Sequence, residues 1–124
     1  MNLIVSVGSN CGHRYENVEK AIKEIENLLE GGLRCSDIYE TPCALDKGFP
    51  YMNAVISGEY DGSLYEAEKK FKALEIKLGR TQESRLKSEV PIDIDIVVAD
   101  GVVVKEWDYR QNFFKIGAEM VGII

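Results

Sequence analysis

The fold can be inferred from residues 51–79, YMNAVISGEYDGSLYEAEKKFKALEIKLG, which hold a strand, a turn and a helix in succession. The β-prone run 51–60 ends at an Asp-Gly turn. Ser63, with Glu66 three residues later, matches a capping box and predicts that a helix begins there. The apolar residues that follow recur at helical spacing and form the buried stripe of this helix: Leu64, Ala67, Phe71, Leu74 and Leu78.

A similar strand and helix precede this segment. Residues 3–7 are a short β-prone run that ends at the turn 8–10, and the apolar spacing over 15–29 predicts an amphipathic helix. Residues 33–39 predict a further strand. Residues 41–50 contain two prolines and a glycine, which predict an irregular loop before the next strand.

The elements after residue 79 complete the pattern. The polar stretch 80–90 predicts a loop, 92–99 predict a strand, and Asp-Gly at 100–101 predicts a hairpin turn into 102–105. The order β-α-β-β-α-β predicts a ferredoxin-like α+β fold, an antiparallel sheet with two helices on one face, plus a C-terminal hairpin. No repeat or linker interrupts the chain, so we expect a single domain over residues 1–124.

The composition is that of a globular protein with an acidic balance of charge. The 124 residues include 15 Lys plus Arg against 21 Asp plus Glu, which gives a net charge of −6 and a pI near 4.8. Nucleic-acid binding needs a broad cationic face and is not expected. No apolar run reaches the ~18 residues of a membrane span, and the N-terminus lacks the features of a signal peptide. Three cysteines without C-x-x-C spacing indicate free thiols in the cytoplasm.

The strongest chemical signal is the acidic pair in residues 91–96, PIDIDI. Alternate side chains of a strand share a face, so Asp93 and Asp95 lie together opposite the isoleucines. Two adjacent carboxylates repel and have raised pKa values unless a cation lies between them, and oxygen ligands so arranged suit Mg²⁺. The alternative is an exposed strand face whose acids only increase solubility.

Two other groups of residues have a functional and a plain interpretation. Tyr51 and Asn53 share a strand face, and a ring with a donor-acceptor amide suits a flat heterocycle. Taken by themselves, however, they are more typical of ordinary strand residues. Arg80, Arg85 and Lys87 lie just before the acidic pair, where they could hold a polyphosphate or form a solvated run of charge.

Taken together, these segments resemble the 6-hydroxymethyl-7,8-dihydropterin pyrophosphokinase family of the folate pathway. The matching pieces cover most of residues 3–98, and their order and spacing are specific together. They are VGSN (7–10), YETP (39–42), YMNAV (51–55), EIKLGR (75–80) and PIDIDI (91–96). The family fold is ferredoxin-like α+β, which agrees with the element order inferred above.

The resemblance implies transfer of the terminal pyrophosphoryl unit of ATP to the hydroxymethyl group of the pterin, with release of AMP. It assigns two Mg²⁺ ions, held on the triphosphate of ATP, to Asp93 and Asp95. In such a transfer, charge neutralisation and in-line positioning provide most of the catalysis. The implied substrates are therefore the pterin and ATP, and we expect a monomer or weak homodimer.

The resemblance also implies residues for both substrates. The pterin ring is held by Thr41, Pro42 and Asn53, stacks on Tyr51, and is closed on its other side by Phe113 or Phe114. A second group of residues matches the nucleotide side of the family site: Glu75, Arg80 and Arg110.

The sequence departs from the family in the region expected to bind phosphate. The family loop carries several arginines, whereas an ungapped alignment places Gln82, Leu86 and Val90 at those positions. Arg80, together with Arg85 and Lys87, is then expected to supply the catalytic positive charge, although lysine lacks the bidentate fork of arginine. No histidine follows the acidic pair, and we expect a divergent member with a short C-terminal part. The alternative function is a non-catalytic pterin- or nucleotide-binding relative that has lost the arginine clamp.

Overall fold

The computed structural model of the protein describes residues 1–43, 49–87 and 89–123, with the side chain of Arg85 excepted. An antiparallel sheet has the strand order β2-β4-β1-β5-β6, with β3 paired to β4. This topology and the helices packed on the sheet confirm the predicted ferredoxin-like α+β fold. The elements are β1 (Asn2–Ser9), α1 (Arg14–Leu28), β2 (Gly31–Cys35), β3 (Tyr39–Thr41), β4 (Tyr51–Glu59), α2 (Leu64–Lys77), α3 (Gln82–Leu86), β5 (Asp93–Ala99), β6 (Val102–Val103), α4 (Glu106–Arg110) and α5 (Asn112–Met120).

The strand register determines which polar residues become neighbours. In the centre of the sheet, β1 pairs with β4 on one side and with β5 on the other. Gly8 lies opposite Asn53 in β4 and opposite Asp93 in β5, while Ser6 lies opposite Asp95. Because directly opposed residues point to the same face, the amide and the acidic pair lie on one face on either side of a glycine.

The two faces of the sheet are covered differently. On the first face, α1 and α2 pack on the strands and bury an apolar core that includes Val5, Ile25 and Phe71. On the second face, a smaller core includes Val55 and Phe114 and lies beneath the C-terminal segment. Beyond the smaller core, this face carries an open cavity, and the acidic pair lies in its wall.

The C-terminal helices α4 and α5 were not predicted from the sequence. The two predicted helices do lie on one face, and the hairpin at 100–101 is present as predicted. However, α5 has only nine residues and contains a glycine, so its intrinsic helix propensity is low. Packing of its apolar side against the sheet stabilises it, which is a tertiary effect that local spacing did not predict.

A tyrosine and a glycine hold α5 against the sheet. The Tyr39 hydroxyl donates a hydrogen bond to the carbonyl oxygen of Phe113 (2.5 Å) and accepts one from the backbone N–H of Gly117 (3.0 Å). A β-carbon on Gly117 would lie 2.5 Å from Cγ2 of Val55 and 2.6 Å from the Tyr39 hydroxyl oxygen. The helix can therefore approach this closely only because residue 117 has no side chain, and its approach places Phe113 at the open part of the face.

Several element boundaries differ from the prediction, most clearly in the stretches 80–90 and 33–39. The stretch 80–90 is not all loop, since α3 forms where Thr81 and Ser84 exchange side chain-to-backbone hydrogen bonds of 3.0 and 3.1 Å. The predicted strand 33–39 is divided into β2 and β3 because the Ser36 side chain accepts a hydrogen bond from Val55 N–H (2.8 Å) and interrupts the ladder. Within the described ranges, no helix is long and apolar enough to cross a membrane.

Candidate active site

A cavity of about 190 Å³ occupies the open part of the second sheet face, between the strands and the C-terminal helices. It brings together residues from β1, β4, β5, the segment after β3, and α4–α5. The lining residues that the sequence predicted as site residues are Thr41, Pro42, Tyr51, Asn53, Asp93, Asp95 and Phe113. The lining residues that were not assigned a role are Ser6, Gly8, Cys43, Trp107 and Asp108.

Asn53 is buried and its orientation is fixed by hydrogen bonds. Its Nδ2 donates to the Thr41 hydroxyl (2.8 Å) and lies 3.3 Å from the carbonyl oxygens of Tyr39 and Tyr51. These contacts satisfy the donor side of the amide and direct Oδ1 toward Gly8. A buried amide held in this way can offer an oriented acceptor to a polar heterocycle.

Gly8 is required by the close approach of two lining side chains. A β-carbon at this position would lie 3.2 Å from Cδ2 of Tyr51 and 3.4 Å from Oδ1 of Asn53. The sequence predicted a turn over 8–10, whereas the structure places Gly8 inside β1, where a glycine often marks such an approach. The lack of a side chain at Gly8 thus leaves room for the ring and the amide to face the cavity.

The two aspartates share the cavity but differ in protonation. Burial, followed by the charges of Asp95 and Glu75, raises the pKa of Asp93 to about 7. Burial would also raise the pKa of Asp95, but Lys72 and Lys105 outweigh it and hold the pKa below its ordinary value. At neutral pH, both carboxylates are therefore fully ionised only when further positive charge lies nearby.

Three cations from the protein lie against the acidic residues. Arg80 forms an ion pair of 2.9 Å with Asp93 and one of 3.4 Å with Glu75. Lys105 forms an ion pair with Asp95, and Lys72 Nζ lies 3.4 Å from the same aspartate oxygen. Neither lysine was predicted, because one lies on α2 and the other follows β6, both outside the loop expected to supply the charge.

Glu75 supports the acidic strand and does not line the cavity. Its side chain is 3% exposed and accepts a hydrogen bond of 2.6 Å from the backbone N–H of Ile94. In the described structure, β6 pairs with β5 only at Val98 and Ala99, so the edge of β5 at Ile94 has no strand partner on that side. Glu75 satisfies this N–H. The predicted nucleotide-binding role of Glu75 stays a prediction, and in this structure its carboxylate contacts Ile94 N–H, Lys72 and Arg80.

Several other predicted site residues lie away from the cavity. Phe114 is fully buried in the smaller core beside Tyr109, so of the two phenylalanines it is Phe113 that lines the cavity, and its pterin-binding role stays a prediction. Arg110 faces solvent and pairs with Glu106 (3.3 Å), and its nucleotide-binding role stays a prediction. Lys87 is also exposed and pairs with Glu83 (3.1 Å). Arg85 lies in α3, but its side chain is outside the described part of the structure.

The acidic pair fits a metal ion that arrives with its own ligands. Among the described residues, no three His, Cys, Asp or Glu side chains are grouped so that they could hold a metal ion. Asp93 and Asp95, two residues apart on β5, offer carboxylate oxygens side by side at the cavity wall, and Asp108 from α4 lines the same cavity. Mg²⁺ is commonly bound by one or two carboxylates, with water and substrate phosphates completing its coordination. The donor set therefore suits a magnesium–phosphate ligand better than a permanent metal centre.

The fold and the cavity define a ferredoxin-like α+β protein with an acidic pair beside an aromatic and amide pocket. Residues 4–118 match the sequence model of the family described as 7,8-dihydro-6-hydroxymethylpterin-pyrophosphokinase (HPPK). Since this match covers most of the chain, the protein belongs to the HPPK family.

Curated relatives agree with this assignment. The chain is 34% identical over 100 residues to a folate synthesis bifunctional protein of Chlamydia trachomatis, covering 75% of this chain and 22% of the relative. It is 32% identical over 97 residues to a 2-amino-4-hydroxy-6-hydroxymethyldihydropteridine pyrophosphokinase of Porphyromonas gingivalis, covering 76% and 66% respectively. A folate synthesis bifunctional protein of Arabidopsis thaliana is 27% identical over 96 residues, covering 77% and 20%.

Proposed function

We propose that this protein transfers pyrophosphate from ATP to the hydroxymethyl group of 6-hydroxymethyl-7,8-dihydropterin in a Mg²⁺-dependent reaction that releases AMP. One observation carries the proposal. A single cavity holds an oriented buried amide, Asn53, next to the carboxylates of Asp93 and Asp95. Family membership supplies the chemical context in which a flat heterocycle and a magnesium–nucleotide meet.

The ring of the pterin is assigned to the apolar and amide side of the cavity. Tyr51 and Phe113 provide aromatic surface, and the Oδ1 atom of Asn53 provides an acceptor for ring N–H groups. The cavity volume of about 190 Å³ is below that of pockets for drug-sized ligands and suits a compact bicyclic ring. The hydroxymethyl group would then point toward the acidic pair.

In the transfer step, the hydroxymethyl oxygen bonds to the β-phosphorus of ATP while the bond between that phosphorus and the α-phosphate oxygen breaks. AMP leaves, and the hydroxyl proton passes to solvent. Asp93 and Asp95 would hold Mg²⁺, which supplies charge neutralisation on the phosphates when bound. The chain's own contribution is to orient the ring through Asn53 and to keep the carboxylates adjacent through the register of β5 against β1.

The decisive measurement is AMP formation by the full chain from ATP and the pterin, with and without Mg²⁺. We expect AMP only when all three are present. A second function, binding without catalysis, is favoured by one observation: Lys87 and Arg110 pair with surface glutamates away from the cavity. Under that function, calorimetry would detect binding of the pterin or of a non-hydrolysable ATP analogue, and no AMP would form.

The Asn53→Ala variant tests the pterin side separately. Loss of the amide leaves polar edges of the ring without a partner in a buried site, which costs about 2 kcal/mol, or a Kd raised roughly 30-fold. Calorimetry with the pterin measures this change, and affinity for the magnesium–nucleotide should stay nearly constant. Asn27→Ala, an exposed change on α1, is the matched control. Equal losses for both ligands would indicate general destabilisation and contradict the assignment.

A further inference from the structure

Two lysines outside the 80–90 loop contact the carboxylate of Asp95. Lys105 Nζ forms an ion pair with Oδ1 of Asp95, and Lys72 Nζ lies 3.4 Å from the same oxygen. Lys72 also contacts Glu75 (3.1 Å) and the carbonyl oxygen of Ile94 (3.2 Å). Both ammonium groups therefore contact the carboxylate oxygen to which a metal ion would bind.

A divalent cation on Asp95 must compete with these lysines. Two ammonium groups and Mg²⁺ around one carboxylate oxygen repel each other strongly in a partly buried site. Lys72 retains contacts with Glu75 and the Ile94 carbonyl oxygen, whereas no other hydrogen bond of Lys105 Nζ is found among the described residues. Lys105 is thus the group that metal binding is expected to displace.

The wall of the space next to the two lysines holds more basic than acidic side chains. A second cavity of about 310 Å³ lies between α2 and the edge of β5, and its wall includes the side chains of Lys69, Lys72 and Lys105. Glu68 is the acidic residue in the same wall. An ammonium group released from Asp95 would therefore remain at a surface where an anion is attracted, within reach of phosphates bound to the same metal ion.

We propose that Lys72 and Lys105 are phosphate-binding residues that serve as counterions of Asp95 until a magnesium–nucleotide arrives. This inference rests on the proposed function, because it concerns the nucleotide of that reaction. The lysines supply positive charge that positions 82, 86 and 90 lack, since these hold Gln, Leu and Val. Lysine binds phosphate as a point charge without a bidentate fork, so a displaced and mobile ammonium can still act.

The Lys105→Met variant distinguishes this role from a structural one. Without the competing ammonium, Mn²⁺ alone, used as an EPR-visible substitute for Mg²⁺, should bind several-fold more tightly. The non-hydrolysable analogue α,β-methylene-ATP with Mg²⁺ should bind about tenfold more weakly by calorimetry, and Lys105→Arg should recover most of that loss. Lys77→Met, which removes an exposed pair with Glu24 (3.3 Å) on the same domain, is the control and should change neither affinity.

The outcomes separate this inference from the proposed function. If Lys105→Met binds the nucleotide as well as wild type, or loses metal and nucleotide affinity together, the lysine assignment is wrong while the proposed reaction can stand. If the two affinities change in opposite directions but wild type forms no AMP, the lysine assignment stands and the proposed reaction fails. If wild type binds no magnesium–nucleotide at all, both fail.

Discussion

In the Asp93→Asn variant, the rate of pyrophosphoryl transfer is expected to fall on the order of 10³-fold. The same variant is expected to unfold at a higher temperature than wild type in metal-free buffer. A bound metal stabilises transition-state charge by several kcal/mol, and about 4 kcal/mol corresponds to that loss of rate. The gain in stability follows from protonation. The pKa of Asp93 is about 7 in the fold, above the ~3.9 of an unfolded chain, so ionised Asp93 destabilises the folded state.

The pH dependence has a defined sign. Because the folded state binds this proton more tightly, the free energy of unfolding of wild type falls as the pH rises from about 4 to about 7 and stays low above. The asparagine cannot titrate, so the difference in melting temperature should be largest near pH 8 and shrink below pH 7. Added Mg²⁺ should stabilise wild type and not the variant.

Calorimetric melting in EDTA at several pH values, with an AMP assay on the same samples, tests both parts. Asp37→Asn, at an exposed aspartate between β2 and β3, is the control and should change neither the rate nor the pH profile. Retention of the wild-type rate by Asp93→Asn would rule out the metal assignment. An unchanged melting temperature at every pH would show that Asp93 is not the destabilising carboxylate.

The Gly117→Ala variant is expected to lose about 2 kcal/mol of stability and most of its affinity for the pterin. Helix propensity alone predicts the opposite, since alanine favours a helix over glycine by about 1 kcal/mol. Here the new methyl group would lie 2.5 Å from Val55, which is fully buried, and 2.6 Å from the Tyr39 hydroxyl oxygen. Overpacking of this kind costs about 1–3 kcal/mol, and the hydrogen bond from Gly117 N–H to Tyr39 is lost as α5 moves outward.

Urea unfolding measures the stability, with an unchanged m-value as evidence that the folded state stays compact. Fluorescence of Trp107, the single tryptophan and a cavity residue, reports the displacement of α5, and calorimetry reports the pterin affinity. Gly31→Ala adds the same methyl group where nothing lies within 4 Å, and should change stability by no more than about 0.5 kcal/mol. A Gly117→Ala protein as stable as wild type would contradict the proposed close packing.

Several residues that line the cavity could be predicted from the sequence because the signals are local or carried by short motifs. Period-two alternation assigned Asp93 and Asp95 to one face, and the structure places them in one cavity wall. The same alternation paired Tyr51 with Asn53. These inferences needed no knowledge of which strands are neighbours, since side-chain direction along a strand follows from backbone geometry alone.

The two lysines beside Asp95 could not be predicted in the same way, whereas Arg80, which the sequence did single out, pairs with Asp93. Sequence proximity favoured Lys87, but an ion pair with Glu83 keeps it at the surface. Lys72 and Lys105 reach Asp95 from a helix and from the end of a hairpin, 23 and 10 residues away. Their distance to the acidic pair depends on how α2 and β6 meet the edge of β5, which is a tertiary arrangement.

The sequence therefore determined the β-α-β-β-α-β order, the face of each strand and the start of α2. Turn residues, alternation and the Ser63 cap act within a few residues, so each leaves a local signal. The packing on the second face of the sheet was not determined by the sequence alone. Whether Phe113 or Phe114 faces the cavity depends on the Tyr39 hydroxyl and on the missing side chain at Gly117, which lie 78 residues apart in the chain. Contacts of that range depend on close packing between elements, and no local pattern encodes them.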